Sequence, residues 1–276
     1  IGIEAGAQLG NMTHAWWDQV VAEHAVTVPS TIKDISWPFG DSMVMVDKHG
    51  RRVVNEKSIY NERGQVHFAW DPGACEYPNL LLFWIFDQAV CDDERFSRFR
   101  WPVPMPGEPF PDFVFGADTL DELGAAIRRR VDRLAPHTGG FAVGDDFESG
   151  LKSTIDRFNA FAVAGVDDDF GRGRASIERT WSGESRLGLP NPTMAPIAAE
   201  GPYHCIIVGP GALDTKGGPV TDEHGRVLAV DGSPIPGLYG AGNCTASPAG
   251  QGYWGPGGTI GPAIVFGGIA ALHAVT

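Results

Sequence analysis

The most constraining feature of this chain is its C-terminal passage from Pro236 to Ala274, in which two glycine-rich turns each feed an apolar stretch. The second turn reads Gly255-Pro256-Gly257-Gly258-Thr259-Ile260-Gly261-Pro262 and opens into a run, Ile260 to Val275, apolar enough for a buried helix. Glycines let backbone N–H groups approach a flat or anionic ligand without interference from Cβ. A helix start directly behind them offers unsatisfied N–H groups and the positive end of a dipole. Such a passage is built to press a helix N-terminus against something electron-rich.

Composition narrows the partners. The 276 residues are 43% hydrophobic and 20% charged, enough for a sizeable core in one large domain or two modest ones. A net charge of -13 argues against non-specific nucleic-acid binding, which wants a basic face. Cys75, Cys91, Cys205 and Cys244 are too far apart for a metal knuckle or a redox pair, and a chain this size needs no disulfide staple. Reduced thiols in the cytoplasm are the expectation. Residues 1–12 lack the basic segment and continuous apolar core of a signal peptide. The run from Ile260 to Val275 is too short, and too broken by Gly and Pro, for a membrane span of about 20 residues. Asp167-Asp168-Asp169 has no further ligands at calcium-loop spacing, so it reads as a solvated turn and no metal is expected.

Patterning along the chain predicts its elements. Ile1, Ala5 and Leu9 have helical spacing, so a helix is expected over Ile1–Met12, uncapped and therefore preceded by further sequence. Residues 15–28 continue as a mixed helix-to-loop passage. Residues 42–54 read as a hairpin around Asp47-Lys48-His49-Gly50, and Asp222-Glu223-His224-Gly225 repeats the device. Leu80–Asp87 is a buried strand and 98–115 an ordered aromatic loop. Thr119 and Glu122 have capping-box spacing and open a helix to about Leu134. A second helix covers 147–163, with Leu151, Ile155, Phe158 and Ala162 at core spacing. Pro202–Pro210 and Gly237–Gly242 are strands, the latter ending in a glycine turn.

Two tyrosines carry the candidate chemistry. Tyr253 stands just before the second glycine turn, where the amides of Gly257 and Gly258 are offered. A phenol and an amide converging on one carbonyl oxygen would stabilise an enolate, which is oxyanion-hole logic applied to a ketone. Tyr60 follows the segment Arg51-Arg52-Val53-Val54-Asn55-Glu56 and could take a proton from carbon. A tyrosine base needs nearby donors or cations to lower its pKa. Arg63 is the candidate nearest in sequence, although Arg52 and Arg63 read as ordinary surface charges.

These segments together resemble the fumarate reductase and succinate dehydrogenase flavoprotein superfamily, and most of all its 3-ketosteroid dehydrogenase branch. GLYGAGN and GYWGPGGTIGPAIVFGGIAALHA look like that family's flavin-binding end. RRVVNE is similar to its hairpin ending in F-V-N-E, IGIEAGAQLGNM to a helix after Gly-Asp-Gly, and TKGGPVTDEHGRVL to the return into the flavin domain. The resemblance implies an α/β fold: a partial Rossmann-like FAD-binding domain built from residues 1–24 and 201–276, with an α+β cap inserted over 25–200. It implies FAD as cofactor, with Gly242, Asn243, Gly258, Thr259 and Ile260 at flavin contacts. Tyr253 and the amide of Gly257 match the pair that polarises a steroid 3-keto group, and Tyr60 matches the tyrosine of proton abstraction. Trp254 replaces the proline of 1,2-desaturating enzymes and resembles the 4,5-desaturating type, which leaves the position of the new double bond open.

The family's G-x-G-x-x-G fingerprint is not in this sequence. The resemblance therefore implies a second polypeptide, or a preceding half, that carries it. It also implies an external electron acceptor. Two other readings stay open: a reductase of unsaturated acids with His67 and Arg63 clamping carboxylates, and a non-catalytic subunit that binds a partner polypeptide.

Overall fold

Leu82–Asp87 (LFWIFD) is apolar on both faces because it lies in a sheet covered on both sides. The computed structural model describes residues 1–27, 36, 38–95 and 100–276. Its strands are β1 (Leu9–Gly10), β2 (Ala15–Val21), β3 (Met43–Val46), β4 (Leu82–Asp87), β5 (Phe115–Ala117), β6 (Tyr203–Thr215), β7 (Gly218–Pro219), β8 (Arg226–Leu228) and β9 (Pro234–Tyr239). Its helices are α1 (Ala22–Ala25), α2 (Tyr60–Gly64), α3 (Gln88–Cys91), α4 (Leu120–Leu134), α5 (Phe147–Ala164), α6 (Ser176–Ser182) and α7 (Ile260–Val275). The chain divides into two units, one of residues 1–17 and 212–276 and one of residues 18–211.

In the larger unit the sheet runs β2-β6-β4-β3, with β5 also on β6. β4 is antiparallel to both neighbours, Ile85 standing opposite Val44 and Cys205. Alternation sends Phe83, Ile85, Val44 and Ile207 to one face, against Leu123, Ile127 and Val131 of α4 and Leu151, Ile155 and Phe158 of α5. Leu82, Trp84, Phe86, Met43 and Ile206 face the other way, onto Phe39, Val90 and Val114. α4 starts at the expected capping box: Thr119 accepts the amide of Glu122 at 3.2 Å and its hydroxyl reaches the Glu122 carboxylate at 3.0 Å. α5 ends at Gly165, whose φ of +77° continues the chain in the left-handed region.

The smaller unit pairs β1 with β7 and β8 with β9. Its helix α7 forms where the apolar run predicted, but only Ala270 of it is buried. Ile264 is 68% and Leu272 70% exposed. The two Asp-x-His-Gly-Arg turns are the same local solution. Asp47 Oδ1 accepts the amides of His49 and Arg51, and Asp222 Oδ1 those of His224 and Arg226. Gly50 and Gly225 close them at φ +70° and +72°.

Four expectations are corrected. Residues 1–12 are not a helix: a few turn hydrogen bonds span 1–7, Gly6 (φ +82°) and Asn11 (φ +54°) break the helical run, and Leu9–Gly10 joins a strand pair. Residues 15–21 are the strand β2, buried almost throughout where it lies beside β6 in the sheet. The 51–54 return is a single bridge between Val46 and Arg52, and β4 takes the place beside β3. Asp167 is not solvated: it is 2% exposed and accepts two bonds from Arg52, at 3.1 and 2.9 Å. Of the aromatic loop, residues 98 and 99 lie outside the described residues.

Candidate active site

Within the smaller unit the C-terminal turn is held from below by a lysine that sequence reasoning passed over. Lys216 is buried, donates to the carbonyls of Gln251 (3.1 Å) and Gly252 (2.7 Å), and lies 4.1 Å from the Trp16 ring centroid. Trp16 packs edge-on against Tyr253, ring centroids 5.7 Å apart, and its indole N–H donates to Asn243 Oδ1 at 3.1 Å. Asn243 donates in turn to Asp214 at 2.6 Å. So Tyr253 and Asn243, 10 residues apart in sequence order, share one tryptophan as their support. The signal for Lys216 was its place before Gly217-Gly218, which says only that backbone passes closely there.

The glycines of this turn fit a flat ligand. Gly255 (φ +115°) and Gly257 (φ +88°) sit in backbone conformations that L side chains rarely adopt, and nothing stands within 4 Å of where their Cβ would be. Gly242 (φ +77°) is closed in instead, a Cβ there meeting that of Ala263 at 2.9 Å. Gly258 gives its amide to the Gly255 carbonyl at 3.1 Å, and Gly261 gives its amide to Gly257 at 2.8 Å. Thr259 and Ile260 form the N-terminal end of α7. The turn thus leaves an open glycine cradle at the start of a 16-residue helix. Gly242, Asn243, Gly258, Thr259 and Ile260 all belong to this part of the unit.

Tyr60 belongs to the larger unit, as the first residue of α2. It lines a cavity of about 240 Å³ with Phe39 and Trp181 as further aromatic walls and Lys57 and Arg63 among the polar ones. The segment leading to Tyr60 is anchored by charge. Glu56 is fully buried, takes Arg52 at 2.7 and 2.8 Å and Arg172 at 3.3 Å, and accepts the amide of Met45 at 3.2 Å. Burial alone would raise its pKa, but the two guanidinium groups outweigh that and hold it below the usual range. Lys57 is fully enclosed on the carbonyls of Pro38 and Gly40, and burial pushes its ammonium well down.

Arg52 and Arg63 are therefore not surface charges. Arg63 is 2% exposed and donates to Gln19 Oε1 (2.5 Å), Ser58 O (2.8 Å) and Ser36 O (2.9 Å). His67 is buried too, its Nδ1 2.6 Å from the Asn79 carbonyl and its Nε2 2.9 Å from the Gln19 amide nitrogen. Burial pushes His67 down to about 4, so it is neutral. Both side chains are consumed inside the unit, which removes them as a carboxylate clamp.

Comparison with known proteins shows the family. The profile of the FAD binding domain matches residues 1–260. The chain belongs to that FAD-binding family. Members similar to it include a 4-oxocyclohexanecarboxylate 2-dehydrogenase of Sinomonas cyclohexanicum, 36% identical over 84% of this chain and 36% of that protein. A 3-oxosteroid 1-dehydrogenase of Mycobacterium tuberculosis is 35% identical over 97% of this chain and 44% of that protein. Among solved structures, a 3-ketosteroid delta1-dehydrogenase from Sterolibacterium denitrificans in complex with 1,4-androstadiene-3,17-dione superposes with a TM-score of 0.78 at 29% identity, over 99% of this chain and 45% of that one. The chain thus spans less than half the length of these relatives. The α/β class and the 3-ketosteroid dehydrogenase branch of the FAD-binding family agree with the expectation from sequence. Among the described residues no helix is long and apolar enough to cross a membrane, and no group of three or more metal-ligating side chains is found.

Proposed function

We propose that this chain is the ketone-polarising and proton-abstracting part of an FAD-dependent dehydrogenase that desaturates a 3-ketosteroid-like ring ketone. The observation that carries the reading is Tyr253, supported by Trp16, next to a glycine turn where nothing stands within 4 Å of a Cβ at Gly255 or Gly257. Tyr253 donates a hydrogen bond to the ketone oxygen and the Gly257 amide donates a second. The developing enolate is stabilised and the adjacent C–H becomes acidic. Tyr60, on the wall of a cavity in the larger unit, is assigned the role of base, its phenolate taking a proton from carbon. Gly242, Asn243, Gly258, Thr259 and Ile260 hold the flavin, whose chemistry when bound is to accept the hydride from the neighbouring carbon.

The similarity to enzymes named 3-oxosteroid 1-dehydrogenase favours a new double bond between C1 and C2. The exposed apolar surface of α7 supports a further polypeptide, or a further part of this one, that carries the dinucleotide fingerprint. A bound flavin would pass its electrons to an external acceptor, and the reading places the enzyme in the cytoplasm. A carboxylate-clamping reductase is disfavoured by the burial of His67 and Arg63.

The test is to co-express this chain with the fingerprint-bearing polypeptide and assay a yellow product for dye reduction with 4-androstenedione. Steroid-dependent reduction that Tyr253→Phe and Tyr60→Phe each abolish supports the proposal. Flavin bleached by fumarate and not by steroid refutes it.

A further inference from the structure

One buried carboxyl group in the larger unit is only half satisfied by hydrogen bonds. Asp18 on β2 is 1% exposed. Its Oδ1 accepts the Gln19 amide at 2.7 Å, while its Oδ2 is buried with no hydrogen-bond partner. The nearest cation is Arg63, and it stands off at 3.7 Å, beyond hydrogen-bond reach. A half-satisfied carboxyl this deep costs stability, and such groups call for an explanation outside packing.

Its neighbours form a directed chain. His67 Nδ1 must donate to the Asn79 carbonyl, so its Nε2 accepts from the Gln19 amide nitrogen. That leaves Gln19 Oε1 to accept from Arg63 Nε. Arg63 in turn holds the Ser58 carbonyl, two residues before Tyr60, and lines the same cavity as Tyr60. Tyr60 and Arg63 are three residues apart on α2, on neighbouring positions of one helical turn.

We propose that Asp18, acting through Arg63, is a positioning residue that sets the charge felt by the Tyr60 phenol. This rests on the reading of Tyr60 as the base. Arg63 supplies the cation that favours a phenolate, and ionised Asp18 offsets part of that cation. The other charged groups lining the cavity are Asp41, Glu56, Lys57, Arg95 and Glu178. Asp41 is held by Arg95 and Arg186, and Glu56 by Arg52 and Arg172. Lys57 is bound to two carbonyls, and Glu178 accepts from the Gly173 amide and from Asn55. Behind Arg63, His67 is neutral. The Asp18–Arg63 pair is thus one adjustable charge near Tyr60, beside Lys57 and Glu178, whose ionisation burial also shifts, down for the ammonium and up for the carboxyl. Burial supports the assignment by raising the Asp18 carboxyl, against the pull of Arg63, to about 7, so it changes charge in the physiological range.

The experiment is an ultraviolet difference titration of tyrosinate, each protein measured against its own Tyr60→Phe partner so that only this phenol of the five tyrosines is read. Asp18→Asn removes the offsetting charge and is expected to lower the Tyr60 titration by about one unit, and Arg63→Gln to raise it by about as much. Arg63→Lys keeps the cation and is expected to restore it. In the flavin-loaded enzyme, the limb of the kcat profile assigned to the base moves the same way with Asp18→Asn, at unchanged KM. Unchanged titrations in Asp18→Asn, or shifts of the same sign in Asp18→Asn and Arg63→Gln, overturn the inference. If Arg63→Gln does not fold, Asp18→Asn decides alone, since asparagine matches the shape of protonated aspartic acid. Full turnover in Tyr60→Phe would instead refute Tyr60 as the base while the titration still reports on Asp18.

Discussion

Replacing Asp18 by asparagine is expected to stabilise this protein increasingly as pH rises from 4 to 8. Burial raises the folded-state carboxyl from 3.8 to about 7. Between those values the folded chain keeps a proton that the unfolded chain has lost, so wild-type stability falls with rising pH across that window and the loss is complete above it. Three units at about 1.4 kcal/mol each amount to about 4 kcal/mol. His67 works in the opposite direction. Burial lowers it from 6.5 to about 4, so the unfolded chain binds a proton over that interval and the folded chain does not. Its contribution is intact above 6.5 and is lost as pH falls to about 4, a change of about 3 kcal/mol. In the wild type the two slopes largely cancel between pH 4 and 6.5, and a variant of either uncovers the other.

Urea unfolding followed by tryptophan fluorescence, at a series of pH values from 4 to 8, measures this for wild type, Asp18→Asn and His67→Gln. The quantity to read is each variant's stability minus that of wild type, which removes all other titrating groups. For Asp18→Asn it should grow by up to about 4 kcal/mol toward pH 8. For His67→Gln the deficit at pH 8 should shrink by about 3 kcal/mol toward pH 4. A difference for Asp18→Asn that does not vary with pH would mean that Asp18 ionises at an ordinary value, and the reasoning from burial would fail.

Other expectations follow from the same geometry. Glu56→Gln leaves Arg52 and Arg172 short of a buried counter-charge and should cost about 3–5 kcal/mol in the same unfolding assay. Gly242→Ala brings a methyl against Ala263 at 2.9 Å in a left-handed conformation, so its melting temperature should drop. Gly257→Ala has room for the methyl but not the φ, and should lose about 1 kcal/mol or more of stability. Tyr60→Phe should lower kcat by about a hundredfold or more, with little change in KM, in steady-state dye reduction.

Local order was legible in the residues themselves. The two Asp-x-His-Gly-Arg turns, the Thr119 capping box, the apolar strand at 82–87 and the spacing of Leu151, Ile155 and Phe158 depend on neighbours within a few positions. The glycine turn before α7 was legible for the same reason, and with it the family. What tertiary structure alone decided was the fate of the charges. Arg52 meets Asp167, 115 residues on, and Arg63 meets Gln19, 44 residues back, and no periodicity marks either pairing. Helical spacing over residues 1–9 was equally compatible with a strand pair once Gly218–Pro219 stood beside it. Whether a charged side chain lies in water or in a core depends on partners brought from far along the chain, because only a completed set of hydrogen bonds and counter-charges offsets its desolvation.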